Sequence, residues 1–266
     1  MKSTKTKYCC SILAFLLSVC LLSTVSVFSK GDCYNWYCVR NKEHKQPVAD
    51  ANMRFIEEFD GYYVDHKHDD ANTEKVIYLT FDAGYENGNV AKILDVLKEE
   101  NVPGAFFVLK NLIVRNPELI ERMVNEGHLV CNHTATHKDM TKCSSVEEFQ
   151  QELKALETVY SEKTGKQLAH YYRPPEGKFS RKNLEYAKAL GYKTIFWSFA
   201  YADWDNGRQM SNQAAKEKIL SNIHNGEIML LHPTSATNAA ILGDVIQELK
   251  NLGYRFGSLD ELKKND

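Results

Sequence analysis

"YLTFDAGYENGN", residues 78–89, reads as a buried strand that stops in a turn. Tyr78, Leu79, Thr80 and Phe81 suit a packed, pleated surface, and Gly84 with the polar run behind it supplies the break. Asp82 stands where strand meets turn. It is either a carboxylate presented for chemistry or an Asx-type residue capping the next helix. Outward from this point a rhythm holds to the end of the chain. "KVIYLTF" precedes "VAKILDVLKEE", whose apolar residues recur at helical spacing. "GAFFVL" precedes "PELIERMVNEG", with Pro117 suited to a first helical turn. "HLVCN", "AHYYR", "KTIFWSF" and "EIMLLH" are each followed by a helical pattern, and "YRFGSLDEL" closes the series. Alternation of this length predicts an α/β fold with a mostly parallel sheet, either doubly wound or closed as a barrel. No G-x-G-x-x-G follows the first strand, which weighs against a dinucleotide fold.

The chain of 266 residues has room for one full-sized core with a leader and an extension. Its net charge of −2, with lysine and arginine dispersed, leaves no footprint for nucleic acid, so no such partner is expected. Lys2, Lys5 and Lys7 precede the apolar run "YCCSILAFLLSVCLLSTVSVF", the layout of a secretory signal. Residues 1–29 are thus a signal peptide ending at Ser29, or an uncleaved membrane anchor. Both place the remainder outside the cytoplasmic membrane, secreted or anchored. Residues 30–74 are polar and irregular around "ANMRFIEEF" and read as an extension that wraps the main domain, residues 75–266. His66 and His68, set among charges, read as solvated loop residues. Cys33 and Cys38 flank "YNWY" and form either a local disulfide or two free thiols. The chain has no C-x-x-C, so a cysteine zinc site is not expected.

Asp82, Asn132 with His133, Arg173 and His232 each end a strand-like run. In a β/α barrel those ends converge on one face, where active sites are built. His133 and His137 are four apart in "NHTATH". On a helical turn both imidazoles would share a face and hold one metal ion; otherwise they are polar loop residues. Asp82 suits a general base and His232 a general acid near neutral pH. Arg173 opens "RPPEG", where Pro174 and Pro175 stiffen the loop, and a rigid guanidinium would hold Asp82 ionised. Asp203 and Trp204 in "ADWDN" offer a partner for Arg173 or His232 and a wall for a pocket or a sugar face.

Taken in order, "TFDAG", "HTATH", "RPPEG", "ADW" and "LLH" resemble the polysaccharide deacetylase family, also called the NodB-homology domain or carbohydrate esterase family 4, over residues 75–262. The resemblance implies a distorted (β/α)7 barrel that hydrolyses N-acetyl or O-acetyl groups of polysaccharides. It implies Asp82 as base, His133 and His137 as metal ligands, Thr134 as the residue orienting their loop, Arg173 as the holder of Asp82, Leu231 in the acetyl pocket and His232 as acid. Thr134, Leu231, Pro174, Pro175 and Trp204 fall among the substrate-binding positions. The implied cofactor is a divalent metal (zinc, cobalt or manganese). Its third usual ligand, an aspartate, is replaced here by Ala83, which cannot coordinate, so binding is expected to be weakened; Glu86 is the candidate replacement. Ala200 stands where many relatives have an aspartate, leaving Asp203 to orient Arg173. "GYENG" and the polar segment before the barrel are similar to the delta-lactam-biosynthetic de-N-acetylases of spore-forming bacteria. That likeness implies N-acetylmuramic acid of peptidoglycan as substrate after an amidase has removed the peptide stem, and muramic δ-lactam of the spore cortex as the outcome, with the forespore intermembrane space as location. A glucosamine deacetylase and a catalytically silent glycan-binding barrel are the alternatives.

Overall fold

The computed structural model describes residues 33–262. The expected leader, residues 1–29, lies outside the described residues. Among the described residues, no helix is long and apolar enough to cross a membrane.

The chain first lays down short pieces: β1 (Tyr34–Asn35), β2 (Cys38–Val39) and β3 (Val48–Ala49), of which the last two pair antiparallel, and then β4 (Gly61–Tyr62). The alternating part follows as β5 (Lys75–Ala83), α1 (Val90–Glu99), β6 (Ala105–Val108), α2 (Lys110–Arg115), α3 (Pro117–Asn125), β7 (Leu129–Asn132), α4 (Val146–Thr164) and β8 (Ala169–Tyr172). It continues as β9 (Lys178–Phe179), α5 (Arg181–Ala189), β10 (Lys193–Ile195), α6 (Asn212–Leu220), β11 (Glu227–Leu231), α7 (Ala236–Asn251) and β12 (Tyr254–Phe256). The order across the main sheet is β11-β5-β6-β7-β8-β10-β4, with β12 also on β5, and every neighbouring pair is parallel. The sheet curls, and its ends meet through bridges from Phe199 to Met229 and from Val64 to Glu227. This is the distorted β/α barrel that the family resemblance implies, one of the two closures the strand–helix rhythm allows.

Local chemistry explains the boundaries. Pro117 opens α3, Ser145 caps α4 through the Glu148 N–H, and Gly165 ends α4 in the left-handed region at φ 67°. The six-residue α2, in "KNLIVR", is too short to show a helical period and was not expected.

Side chains alternate across the strands, and this decides the site. On β5 the odd-numbered Ile77, Leu79, Phe81 and Ala83 join Ile93, Leu94 and Leu97 of α1 in the core outside the barrel. The even-numbered Val76 and Tyr78 point inward with Phe107, Cys131, Tyr171, Ile195 and Ile228. Carrying the inward rows on by two residues reaches His133, Arg173, Trp197 and Leu230, and by four reaches Asp82 and His232. The barrel interior is therefore apolar at its base and polar at the C-terminal ends of its strands.

The extension is part of this architecture. β4 adds to the sheet edge beside β10, and β1 pairs with β9. Trp36 Nε1, Cys38 Sγ and Arg40 Nη1 bind the carbonyls of Trp197, Ser198 and Ala200 at 2.8, 3.3 and 3.1 Å. Cys33 and Cys38 are free thiols. His66 is exposed as expected, but His68 is buried. Its ring is held by Asp65 at 2.6 Å and Glu74 at 3.2 Å, so "HKH" is a one-turn helix with one side facing the protein, a feature its charged sequence hides.

Candidate active site

A pocket of about 670 Å³ opens at the C-terminal ends of the strands. Asp82, His133, His137, Trp204 and His232 line it, with Tyr85, Leu109, Glu176, Trp197, Tyr201 and Leu230 among the remaining wall residues.

One side is built around Arg173. Its side chain is fully buried, and every contact holds it in one pose. Nη1 donates to Asp82 Oδ1 at 2.8 Å, Nη2 to Thr80 Oγ1 at 2.8 Å and to the Phe196 carbonyl at 3.2 Å, and Nε to the Ile195 carbonyl at 3.0 Å. Phe107 lies under the guanidinium, 4.1 Å from ring centre to Cζ. Burial opposes the negative charge of Asp82, but the groups facing it, the His133 ring, the Arg173 guanidinium with its hydrogen bond and the His232 ring, outweigh burial and hold its carboxyl below the ordinary aspartate range. Burial drives the His133 imidazole down to about 4, so at neutral pH this ring is neutral and Arg173 is the permanent cation beside Asp82.

The two motif histidines meet, though not on a helix. Asn132 Oδ1 accepts from the Thr134 N–H, and Thr134 Oγ1 accepts from the His137 N–H, each at 2.9 Å. These bonds hold Thr134 and His137 in the left-handed region, at φ 71° and 61°, where non-glycine residues are uncommon. The turn sets the imidazoles edge to face with ring centres 5.0 Å apart. His133 Nδ1–H donates to the Arg173 carbonyl at 2.9 Å, which leaves the Nε2 lone pair 3.5 Å from Asp82 Oδ2.

His232 forms the opposite side. Its Nδ1 donates to Asp203 Oδ1 at 2.7 Å, and its backbone N–H to Asp203 Oδ2 at 2.8 Å. Burial lowers the proton affinity of this ring, but the hydrogen bond and charge of Asp203, with the charge of Asp82, outweigh it and raise the pKa above that of an ordinary histidine. With Nδ1 engaged, Nε2 is the nitrogen left for a ligand. Trp204 is 59% exposed at the rim, its ring centre 6.1 Å from that of His232, as a surface able to meet a sugar requires.

Several expectations are corrected. Leu231 does not line the pocket: it belongs to the outward row and packs in the core, while Leu230 forms the wall. Thr134, Pro174 and Pro175 are buried supports and stand outside the lining. Asp203 binds His232, and Arg173 is oriented by Asp82, Thr80 and two backbone carbonyls. Glu86 is committed elsewhere, its two oxygens accepting from the N–H groups of Gly88 and Val90 at the start of α1. Glu176, Tyr85, Tyr201 and Asn238 escaped the reading of the sequence. Inward parity finds Trp197 and Leu230, but no local pattern marks the other four.

The donor set does not complete a metal centre. Ala83 is fully buried in the outer core, and among the described residues no group of three or more His, Cys, Asp or Glu side chains is arranged to hold an ion. His133 and His137 are two ligands where a catalytic zinc usually takes three from the protein.

The polysaccharide deacetylase family model matches residues 69–195. The peptidoglycan-N-acetylmuramic acid deacetylase PdaA of Bacillus subtilis (strain 168) is 42% identical over 230 residues, 86% of this chain and 85% of that protein. The solved structure of Bacillus subtilis PdaA, a family 4 carbohydrate esterase, matches with a TM-score of 0.81 at 41% identity, covering 87% of this chain and 97% of that one. A family 4 carbohydrate esterase from Bacillus anthracis matches with a TM-score of 0.70 at 36% identity, covering 87% and 96%. Sequence identity of this extent, carried on one shared fold, reflects common descent, and the chain belongs to the polysaccharide deacetylase family, the family 4 carbohydrate esterases.

Proposed function

We propose that the chain removes the N-acetyl group of muramic acid residues in peptidoglycan whose peptide stem has been stripped by an amidase. The observation that carries the chemistry is a pair of opposed dyads, Asp82 with Arg173 and His232 with Asp203, across one pocket. The choice of muramic acid is supported by the relative PdaA, named for N-acetylmuramic acid, and by "GYENG" after "TFDA".

Asp82, held ionised, accepts a proton from a water molecule as the water oxygen bonds to the acetamide carbonyl carbon. The carbonyl electron pair moves onto oxygen. On collapse the carbon–nitrogen bond breaks, and the proton on His232 Nε2 passes to the departing nitrogen. Acetate and a free amino sugar leave, Asp82 releases its proton to solvent and His232 takes one up. No step is assigned to a metal, because the ligand set is incomplete. Trp204 and Tyr85 present faces to the glycan at the rim. The freed amine of muramic acid then closes on the lactyl carboxyl group, with loss of water, to give the δ-lactam of spore cortex, and the site of action in this reading is outside the cytoplasmic membrane, in the forespore intermembrane space.

The test is acetate release with mass spectrometry of the glycan. The purified chain is given intact and amidase-stripped peptidoglycan. Acetate with free muramic amine or lactam from the stripped substrate alone is the expected outcome. Release of acetate from glucosamine residues instead refutes the substrate, and no acetate from either refutes the reaction.

A further inference from the structure

The acid dyad is itself held from behind. Asp203 is almost completely buried, and each of its carboxylate oxygens faces a donor: Oδ1 accepts from His232 Nδ1, and Oδ2 accepts from the His232 backbone N–H and from Asn238 Nδ2 at 2.6 Å. Asn238 lies in the first turn of α7, its own N–H fixed by the helix cap Ser235 at 3.0 Å. Its Nδ2 also donates to the His232 carbonyl at 3.2 Å. Its Oδ1 accepts from the Tyr201 hydroxyl, so the orientation of the amide is fixed by two acceptors on one side and a donor on the other. Asn238 is 1% exposed and stands outside the pocket lining, so it meets no ligand there.

We infer that Asn238 is a positioning residue for the deacetylation, locking Asp203 so that His232 Nε2 is aimed at the departing nitrogen. The inference rests on the reading of His232 as the acid. A carboxylate with two free rotamers would share its bond to His232 with other donors. The Asn238 amide removes that freedom by tying Oδ2 to the start of α7 and to Tyr201. Among the groups around the dyad, His232 and Tyr201 face Asp203 directly or through Asn238, Asp82 and Arg173 act on His232 across the pocket, and the uncharged Gln209 binds the Asp203 carbonyl.

Two near-isosteric variants test this. Asn238→Leu removes the donor. Asn238→Asp places a second carboxyl against Asp203, and two buried carboxyls this close share one proton, which restores a donor at acid pH and loses it as pH rises. Loss of a hydrogen bond to a charged group predicts that Asn238→Leu lowers kcat at least about tenfold, with KM and the circular dichroism spectrum unchanged. Asn238→Asp is expected to recover activity at the acid end of the profile and to lose it with rising pH earlier than the wild type. A readout without substrate separates this inference from the assigned reaction. The proton on His232 Nδ1, bonded to Asp203, gives a low-field NMR resonance, expected in the wild type and absent in Asn238→Leu. If a folded Asn238→Leu keeps that resonance or retains wild-type kcat, or if Asn238→Asp loses activity equally at every pH, the inference is overturned. A wild type that releases no acetate but loses the resonance in Asn238→Leu refutes the reaction and upholds the clamp.

Discussion

Replacing Arg173 by methionine tests the base side of the pocket most sharply. The guanidinium is fully buried and touches Asp82 at 2.8 Å, with the Asp82 side chain 10% exposed. Two unit charges about 4 Å apart at an effective dielectric of about 20 attract by about 4 kcal/mol. The open side of the pocket lets solvent screen part of this, and the loss of what remains raises the pKa of Asp82. Burial, which already opposes the charge of Asp82, then acts without its counterweight. The sign follows from the role: a base with a depressed pKa works above that pKa and fails as pH falls through it. The acid limb of kcat/KM for acetate release therefore moves up, and Arg173→Met loses far more activity at pH 5.5 than at pH 8. The carbonyls of Ile195 and Phe196 also lose their donor, and breaking a buried ion pair costs about 3–5 kcal/mol, so the melting temperature falls. Arg173→Lys separates charge from geometry. It keeps the cation, so the acid limb stays near the wild-type position while kcat drops because one ammonium cannot reproduce the fork. An acid limb that stays in place for a folded Arg173→Met refutes the claim that Arg173 keeps the base ionised.

Asp203→Asn removes the group that raises the His232 pKa against burial; the acid then loses its proton at lower pH, and the alkaline limb moves down, read from the same pH–rate profile. With only His133 and His137 available, chelator treatment is expected to leave the rate of acetate release within about threefold of the untreated protein; abolition of activity that zinc restores means a third ligand comes from somewhere other than Ala83. Trp204→Ala removes an exposed platform, raising KM about fivefold with little change in kcat, since stacking on an aromatic face contributes roughly 1 kcal/mol. A fall in kcat with unchanged KM assigns Trp204 to the chemistry instead.

The strand–helix rhythm and the convergence of Asp82, His133, Arg173 and His232 were legible because each rests on local pattern or residue type; that Ala83 stands at a ligand position was implied by the family resemblance alone. The details that failed rest on orientation. Leu231 and Leu230 are equally apolar, and only strand parity, counted from Val76 and Tyr78 on a neighbouring strand, says which one faces inward. Glu86 carries the right chemistry three residues from Ala83, but its oxygens are taken by the backbone N–H groups that open α1, a competition no side-chain inventory reveals. The His133–His137 pair was legible as a pair, while the backbone that joins them was not: a helix was the simplest way to align them, and the chain uses two left-handed residues braced by Asn132 and Thr134. Asn238 is silent in sequence, since its partner Asp203 lies 35 residues away. The extension read as a wrapper, yet β4 joins the sheet itself through residues too few to show a period.

The bonds from Trp36, Cys38 and Arg40 to the Trp197–Ala200 segment span 161, 160 and 160 residues of chain. Contacts of such separation close only after a large loss of chain entropy, and they come late when local contacts are available first. The pocket wall that carries Trp197 and Ala200 is thus the last part of the molecule to become ordered during folding. The segment carrying Trp36, Cys38 and Arg40 waits for most of the barrel before it docks, and on each partial unfolding it is the first to leave. Hydrogen exchange should report this as low protection at residues 34–40 and 196–201 together, with the amides of β5, β6 and β7 exchanging last.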